Sequence, residues 1–467
     1  MAWNVLILGG GYGGLYTARK LERLLPAHSA TITVVNDVNF MLYTPLLPGA
    51  AGGTLEPRHV VVPLREELRS TNIYLGHVLS ADPGARAVQV RSTDGREQTL
   101  HYDQLVVAIG SISRTLPIPG LAEHAVGFKT LSEAIALRNR LIHALETAES
   151  VEDDETRSAL LTFVVVGAGY AGLEGIAELQ DLAADLVDLY PRSRLHGLRF
   201  LLVEARDRVM PEISADLARA ATGELRKRGI EVLTSTTIER LSVDSVELST
   251  GEVVPTRTVA WTAGVKPHPV VARLGLPLDA GGRLKADRYC QVEGFENVWA
   301  VGDAAAIPDP ARPGQPSPPT AQHALRQATT VARNVAAALG DSGHDRKHAF
   351  TYKTLGVFVD MGRHRAVAET LGLKWHGFPA WFLARSYHLM MMPGFKRRLR
   401  LVTDWSVELA FGRDASELGQ LGHPPALGEN GLHEQSAGGT TPAGEAQGGE
   451  EEPGGTSSGG PAARADR

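Results

Sequence analysis

One glycine pattern occurs twice in this chain and constrains its fold more than any other feature. Each copy follows a short apolar run, "WNVLIL" in the first case and "LTFVVV" in the second, and leads into a helical pattern. The glycines are Gly9, Gly11 and Gly14 in the first copy and Gly167, Gly169 and Gly172 in the second. Strand, G-x-G-x-x-G and helix in this order favour a dinucleotide site over a glycine-rich turn with no ligand, because the glycines allow a tight turn and close backbone approach to a pyrophosphate.

The residue at the end of the next strand bears on which dinucleotide binds. After the first copy, "ATITVV" leads to Asn36 where a ribose-binding acid is expected, so the contact would be weaker than one from a carboxylate. After the second copy, "LRFLLVEARDRVMP" puts Glu204 in the acid position. A carboxylate repels a 2′-phosphate and favours NADH, although Arg206 and Arg208 could hold that phosphate. Two fingerprints predict a flavin and a nicotinamide.

Three other strand ends indicate that the chain leaves its first domain and later returns to it. "GFENVWAVGDAAA" ends an aliphatic strand at Gly302 and Asp303, and in two-dinucleotide flavoproteins this strand end brings an aspartate to the flavin. Asp303 would also suit a helix N-cap, and both interpretations can hold. The strand ends in Gln104 to Ser111 and in Thr258 to Val265 resemble those that close the flavin and nicotinamide domains.

The predicted fold is therefore α/β, with two Rossmann-like dinucleotide-binding domains and a C-terminal membrane-associating region. We expect a discontinuous FAD-binding domain over residues 1–125 and 280–345, with the NADH-binding domain, 126–279, inserted in it. Residues 346–420 form the C-terminal interface region. Residues 421–467 lack bulky apolar side chains over most of their length, which predicts a disordered tail.

Composition excludes several classes of function. The 467 residues carry a net charge of −6, which gives no global attraction to nucleic acid. The single cysteine, Cys290, excludes a disulfide framework and a cysteine-pair relay, so disulfide reductases and sulfide-oxidising flavoproteins drop out. We expect a reducing cytoplasm, no metal and an acceptor that meets the flavin directly. Neither a signal peptide nor a membrane-spanning helix is predicted.

The stretch "AWFLARSYHLMMMPGFKRRLRL", Ala380 to Leu401, is unlike the rest of the chain. Aromatics and three methionines supply adaptable apolar surface. The cations Lys396, Arg397, Arg398 and Arg400 can meet lipid phosphates. This composition is typical of a helix that lies in the membrane interface. The alternatives are a helix packed on its own domain and a dimer interface.

These motifs, in this order, resemble the type II NADH dehydrogenases, single-subunit flavoenzymes that reduce membrane quinone. The likeness spans about Trp3 to Phe411. "NFMLYTPLL" is similar to the family's flavin segment, "GAGYAGLE" to its second fingerprint, and "AQHALRQA" to its quinone-site motif A-Q-x-A-x-Q. "FTYKTLGVFVDMGRHRAVAE" resembles a further family motif. Arg326 replaces a glutamine of the quinone motif, and Leu355 replaces a lysine that approaches the flavin.

The resemblance implies FAD and NADH as cofactors and a role for each matching residue. The implied catalytic residues are Glu174, Gln322 and Arg326. The plain alternatives are a helix-dipole acid for Glu174, an ordinary helix residue for Gln322 and an acid partner for Arg326. The implied cofactor-binding residues are Gly9, Gly11, Gly14, Asn36, Pro45, Leu46, Val78, Ala108, Gly110, Gly302, Asp303, Ala324, Gly167, Gly169, Gly172, Glu204 and Gly264.

The implied function is that of an NADH:quinone oxidoreductase, peripheral on the cytoplasmic side of the cell membrane. Hydride passes from NADH to FAD and two electrons then reach a membrane quinone, without proton pumping. The C-terminal region contacts the membrane surface, and a homodimer is left open. One alternative is a soluble NAD(P)H-dependent flavin reductase that serves a ferredoxin-like protein or another soluble acceptor. Another is a non-enzymatic flavoprotein that senses NADH.

Overall fold

The computed structural model describes residues 2–340, 347–354 and 356–418. The predicted tail at 421–467 and the substituted position Leu355 lie outside the described residues. The strands are β1 (Trp3–Leu8), β2 (Ala30–Asn36), β3 (Phe40–Leu42), β4 (Val61–Pro63), β5 (Asn72–Asp82), β6 (Ala87–Ser92), β7 (Glu97–His101), β8 (Gln104–Val107), β9 (Ser111–Ser113), β10 (Ala125–Gly127), β11 (Thr162–Val166), β12 (Arg199–Val203), β13 (Ile230–Leu233), β14 (Ile238–Leu241), β15 (Ser245–Leu248), β16 (Val253–Pro255), β17 (Thr258–Trp261), β18 (Val265–Pro267), β19 (Leu284–Lys285), β20 (Val298–Ala300), β21 (Ala305–Ala306), β22 (Gly356–Asp360), β23 (Ala366–Thr370) and β24 (Leu373–His376). The α-helices are α1 (Tyr12–Leu24), α2 (Leu47–Ala51), α3 (Leu64–Glu67), α4 (Leu121–His124), α5 (Leu131–Ser150), α6 (Asp154–Leu160), α7 (Tyr170–Leu186), α8 (Pro191–His196), α9 (Ala215–Lys227), α10 (Ala321–Ala338), α11 (Gly377–Met391) and α12 (Phe395–Phe411).

The first sheet has seven strands in the order β20-β8-β1-β2-β5-β6-β7. The strands from β20 to β5 run parallel, and β6 and β7 extend the sheet as antiparallel strands. Strand β1 is apolar without alternation because both faces of its inner part are covered, and Ile7 and Leu8 are fully buried. Strand β20 comes from far along the chain, so the chain returns to this sheet after the second fingerprint.

The second sheet has five strands, all parallel, in the order β10-β17-β11-β12-β13. Every residue of β11 is buried, which explains the unbroken apolar run before the second fingerprint. Strands β9 and β18 pair antiparallel where the chain crosses between the two sheets. The two sheets account for the predicted α/β fold, whereas the domain boundaries at 125, 279 and 345 stay a prediction.

The C-terminal region combines a three-stranded antiparallel sheet, β22-β23-β24, with helices α11 and α12. Met392 and Leu401 are fully buried in the apolar core around the first sheet, so this region is packed onto the flavin-binding fold. Trp381 packs with Ala366 and Ala368 of β23 and is only 8% exposed. The interpretation of Trp381 as an interfacial aromatic is therefore wrong, since its burial in the small C-terminal core is what holds α11 on β23.

Two cations of the basic cluster are hydrogen-bonded within the protein, Arg397 and Arg398, and the guanidinium of Arg398 donates to the carbonyls of Met390 and Met392. Arg397 is buried, its guanidinium donates to the carbonyl of Val61 at 3.2 Å, and it pairs with Glu66 at 2.6 Å. It cannot meet lipid phosphates from that position, which corrects the expectation for this residue. Among the helices of residues 2–340, 347–354 and 356–418, none is long and apolar enough to cross a bilayer.

Candidate active site

The three positions of the first fingerprint require glycine for different structural reasons. A Cβ on Gly9 would lie 2.4 Å from the carbonyl oxygen of Ala108, and one on Gly14 would lie 1.7 Å from the carbonyl oxygen of Gly9. Those two positions are required by the packing of α1 on the sheet. A Cβ on Gly11 would meet nothing within 4 Å. Because Gly11 has no side chain, the space at the N-terminus of α1 stays open. This open space fits the pyrophosphate of FAD.

Asn36 lies at the end of β2 beside this loop. Its Oδ1 accepts the N–H of Gly10 at 2.7 Å, and its Nδ2 donates to the carbonyl of Val38 at 2.7 Å. The amide retains one free N–H and one free lone pair, so it can still meet a ribose hydroxyl. Asn36 therefore orders the glycine loop as well as facing the candidate FAD site.

The second fingerprint repeats this arrangement. A Cβ on Gly172 would lie 1.8 Å from the carbonyl oxygen of Gly167, whereas one on Gly169 would meet nothing within 4 Å. The carboxylate of Glu204 takes the place of the Asn36 amide, because its Oε2 accepts the N–H of Ala168 at 2.7 Å. The open space at the N-terminus of α7 fits the second dinucleotide, NADH.

The two arginines after Glu204 differ in their freedom to bind a 2′-phosphate. The guanidinium of Arg208 donates to the carbonyls of Pro211 at 2.9 Å and Ile213 at 3.2 Å. It therefore serves to hold its own loop. Arg206 is exposed, with its guanidinium 4.0 Å from the carboxylate of Glu212. Of these two residues, Arg206 is the one that remains accessible to a phosphate.

The third strand end places Gly302 and Asp303 next to the crossing strands. The N–H of Gly302 donates to Oε1 of the buried Gln327 at 2.9 Å. Oδ2 of Asp303 accepts the hydroxyl of Ser111 at 2.5 Å, and Nζ of Lys129 donates to the same hydroxyl at 2.7 Å. Burial lowers the pKa of Lys129. Gln327 holds Gly302, and Lys129 lies beside Asp303 and shares its bond to Ser111. Sequence reasoning missed both, because Lys129 lies outside the motifs and Gln327 stands one position after the pattern A-Q-x-A-x-Q.

The candidate quinone-site residues meet at one tyrosine. Gln322, in the first turn of α10, accepts the hydroxyl of Tyr352 at 2.6 Å. The exposed Arg326, one turn later, has its guanidinium 5.6 Å from the centre of the Tyr352 ring. Ala324, on the same helix, is the nearest neighbour of a Cβ built on Gly302, at 3.4 Å. The predicted acceptor-side residues thus lie together beside the end of β20.

Glu174 lies on α7 in a pocket that also receives Pro45 and Leu46 of the flavin segment. Its Oε1 accepts the N–H of Asp360 at 3.0 Å. Burial raises the pKa of Glu174 well above its usual value, and the nearby carboxyl of Asp360 raises it further. The raised pKa favours the protonated form of Glu174, which can donate a hydrogen bond into the pocket.

The same pocket contains ionisable residues that the sequence analysis did not single out. Burial raises the pKa of Glu178 to about 7 and lowers the pKa of His388 to about 4, and Arg385 also lines the pocket. The spacing of four residues between Glu174 and Glu178 was a usable signal, because it places both carboxyls on one face of α7. Arg385 and His388 were visible only as interruptions of an apolar stretch.

The remaining predicted contacts are spread around the strand ends. Ala108 follows β8 and is buried against the first glycine loop. Gly110 and Gly264 have φ values of +75° and +93°, and a Cβ on either would meet nothing within 4 Å. Val78 lies in β5, paired with Val90 of β6. Of these four, the two glycines leave the most room for a ligand.

Comparison with known proteins identifies the family. Residues 3–328 match the family model described as Pyridine nucleotide-disulphide oxidoreductase. Type II NADH:quinone oxidoreductase Ndh of Mycobacterium tuberculosis is 31% identical over 86% of this chain and 87% of its own length. A probable NADH dehydrogenase of Dictyostelium discoideum is 30% identical over 88% of this chain and 91% of its own length.

This chain belongs to the type II NADH:quinone oxidoreductase family. The structure of NDH2 from Plasmodium falciparum in complex with NADH aligns with a TM-score of 0.83 and 18% identity, and the match covers 89% of this chain and 100% of that one. At that identity the likeness shows the shared fold. The prediction of a type II flavoenzyme with FAD and NADH as cofactors is confirmed.

The first prediction concerns Gly11 of this type II enzyme. The Gly11→Ala variant should fold, because the added methyl meets no protein atom, but its FAD content should fall because the methyl occupies space at the phosphate site. FAD per protein, measured by absorbance after release by denaturation, checks this. Gly223→Ala, an equally unobstructed glycine in α9, is the matched control. Equal FAD content in both variants would contradict the assignment.

The second prediction concerns the nicotinamide donor. Glu204→Gln keeps an oxygen that can accept the Ala168 N–H but removes the charge that repels a 2′-phosphate. The preference for NADH over NADPH in kcat/KM should narrow by about tenfold or more, as expected when a charged hydrogen-bond partner is lost. If the unmodified enzyme already uses both donors equally, Arg206 binds the phosphate and the prediction fails.

Proposed function

We propose that this type II enzyme delivers the electrons of NADH to a quinone that stays in the membrane. The observation that carries the proposal is the grouping of Gln322 and Arg326 around Tyr352, with Ala384 and His388 of α11 lining the pocket beside Glu174. Helix α11 also begins the most apolar exposed part of the C-terminal region. An acceptor could therefore pass along this helix to the candidate flavin site.

Bound FAD supplies the chemistry that no side chain of this chain can supply, because it takes a hydride from NADH and gives two electrons to a quinone. The protein's part is to bind and orient. Glu204 holds the donor's ribose, and the open backbone at Gly169 receives its pyrophosphate. Glu174 faces the pocket between the two nucleotide-binding folds in a form that can donate a proton or a hydrogen bond.

On the acceptor side, Gln322 presents a side-chain amide whose oxygen is occupied by Tyr352. Its N–H groups can then donate to a quinone carbonyl, and the bond to Tyr352 sets the direction in which they point. Arg326 contacts the ring of Tyr352 through a cation–π interaction. We propose Gln322 as the residue that touches the acceptor and Arg326 as a positioning residue.

The third prediction separates the two half-reactions. Gln322→Ala should slow flavin reoxidation by a water-soluble quinone by about tenfold, the loss expected for one well-placed hydrogen bond in a dry site. Flavin reduction by NADH should change little, because the donor residues lie on the other fingerprint. Stopped-flow absorbance of the flavin measures both rates.

Two further variants test this prediction. Tyr352→Phe removes the hydroxyl that orients Gln322 and should produce a smaller defect in the same half-reaction. Gln89→Ala, on the exposed side of β6, is the control for a surface glutamine. A Gln322→Ala enzyme slowed only in flavin reduction would place Gln322 on the donor side and contradict the proposal.

The C-terminal helices carry the surface that we propose for membrane contact. Phe378 is 60% exposed, Phe382 58% and Phe395 79%. The other exposed apolar side chains on these helices are Met390, Leu399, Val402, Val407, Leu409 and Phe411. These helices are too short and too polar to span a bilayer, yet they expose many apolar side chains. This combination is typical of a helix that lies in the membrane–water interface.

Cations accompany this apolar surface. Lys396 and Arg400 are exposed at the start of α12, beside Phe395 and Leu399. Arg398 is exposed as well, but its guanidinium donates to the carbonyls of Met390 at 2.8 Å and Met392 at 2.9 Å. Each cation near an anionic lipid surface contributes about 1 kcal/mol of attraction. We propose the cytoplasmic face of the cell membrane, whose reducing environment suits a protein with one free thiol.

The fourth prediction tests the membrane surface. Phe378→Ser with Phe382→Ser should abolish binding to liposomes and leave FAD content unchanged, because both side chains are exposed and outside the cores. Neutralising Lys396 and Arg400 should weaken binding to anionic liposomes, most strongly at low salt. Co-sedimentation measures both effects. Removing the whole region would be a poor test, since Met392 and Leu401 complete the core around the first sheet.

Leu195→Ser is the matched control, because Leu195 is 90% exposed on α8, away from this surface. Binding of the unmodified protein to neither anionic nor neutral liposomes would contradict the membrane proposal. The size of the protein in sedimentation velocity would then decide between a homodimer that covers these helices and a soluble flavin reductase.

A further inference from the structure

We infer that Arg385 of α11 binds the acceptor directly, by donating a hydrogen bond to a carbonyl oxygen of the quinone headgroup in the pocket beside Glu174. The inference rests on the proposed quinone-reducing function and adds a second contact to the one from Gln322. Arg385 belongs to none of the sequence motifs that identified the family. It is assigned from its surroundings in the fold alone.

Two tryptophans hold the guanidinium of Arg385 from two different helices. Its central carbon lies 4.5 Å from the centre of the Trp381 ring on α11 and 4.9 Å from the centre of the Trp405 ring on α12. Indole faces attract a guanidinium and stack on its plane, which leaves the N–H groups at its edge to make hydrogen bonds. The side chain is therefore oriented before any ligand arrives.

One edge of this guanidinium has no partner. Nη1 of Arg385 is buried and makes no hydrogen bond to any residue in the described part of the chain. Buried polar atoms are nearly always paired, and an unpaired charged donor is especially costly. A donor that is buried, oriented and unpaired, on a residue that lines the pocket, indicates a missing acceptor atom, which a ligand would supply.

The lining of the pocket narrows the chemistry of that ligand. Pro45, Leu46 and Phe358 provide apolar walls, and Trp405 adds an aromatic face. These residues suit a flat, uncharged ring. A carbonyl oxygen on such a ring is an acceptor for Nη1 of Arg385, and a quinone headgroup combines both properties.

The acids of the pocket argue against a charged ligand. Glu174, Glu178 and Asp360 all line it, and burial raises the pKa of each carboxyl. An anionic ligand would disfavour their ionisation further, and a cationic ligand would be repelled by Arg385. A neutral ligand with carbonyl acceptors meets the guanidinium of Arg385 on one side and, on the other, the carboxyl of Glu174, which donates a hydrogen bond when it is protonated.

The experiment compares Arg385→Met, Arg385→Lys and Arg385→Gln with the unmodified holoenzyme, using a short-chain, water-soluble quinone. The KM for the quinone should rise at least about tenfold in Arg385→Met, the loss expected for a hydrogen bond from a charged donor. The KM of Arg385→Lys and of Arg385→Gln should lie between the values for the unmodified enzyme and Arg385→Met. Each of these two side chains keeps a hydrogen-bond donor but loses the stacked, forked geometry of arginine. The effect on flavin reoxidation should exceed that on flavin reduction.

Ferricyanide serves as a second acceptor, because it takes electrons from reduced flavin without offering a carbonyl oxygen. Its reduction should be much less affected by the Arg385 substitutions than that of the quinone. Arg333→Met, an exposed arginine of α10 changed in the same way, is the control. FAD content and thermal unfolding confirm that each variant has folded.

Different outcomes would contradict the proposed quinone-reducing function and the inference about Arg385. If the unmodified enzyme reduces ferricyanide and no quinone, the proposed function fails. If it reduces the quinone and Arg385→Met shows the same KM, the inference about Arg385 is overturned. If Arg385→Met loses FAD, the Lys and Gln variants carry the test, and an unchanged KM in both overturns the inference.

Discussion

The close contact between a helix and a strand at each glycine fingerprint is the constraint on which the rest of this structure depends. In both copies, a Cβ on the third glycine would lie less than 2 Å from the carbonyl oxygen of the first, at 1.7 Å for Gly14 and 1.8 Å for Gly172. No other residue type permits that approach. It sets the N-termini of α1 and α7 at the ends of their sheets, where unpaired N–H groups can receive a phosphate. The candidate binding residues lie at those sheet ends.

Carboxyl groups of helix α7 form ion pairs with an arginine of the C-terminal region, and the same helix carries Glu174 of the candidate site. Its carboxyls Glu178, Asp181 and Asp185 follow Glu174 at spacings that keep all four near one face. Arg413, from the segment after α12, is buried against them, with its guanidinium 3.2 Å from Glu178 and 3.2 Å from Asp185. Buried ions need such partners, because an unpaired charge in a low-dielectric interior is strongly unfavourable. The segment after α12 therefore completes the environment of the helix that carries Glu174.

Sequence reasoning predicted the α/β fold and the two cofactors well, because the patterns that indicate them are local. A G-x-G-x-x-G loop, the strand before it and the residue at the end of the next strand lie within one βαβ unit. The structure adds contacts that the sequence analysis did not predict, because Asn36 and Glu204 each also accept a backbone N–H of the neighbouring glycine loop. The acceptor side was harder to predict, since Tyr352 and Gln322 are far apart in sequence and their contact exists only after folding. The C-terminal stretch shows the same limit. Its composition indicated exposed apolar surface, and Phe378 and Phe382 fit that expectation, but nothing in the order of residues told them apart from the buried Trp381.

By itself, the sequence determined that this is a two-dinucleotide flavoprotein without a cysteine relay, because glycine spacing and cysteine count are properties of the chain rather than of its packing. Only the tertiary structure decided which side chains of the C-terminal region form ion pairs within the protein and which keep an unpaired hydrogen-bond donor. Arg397 is bound to Glu66, Arg413 to the acids of α7, and Arg385 is held between two indoles with one donor unpaired. The three arginines are alike as residues. They differ because burial makes a charge depend on its nearest neighbours, and those neighbours come from distant parts of the chain.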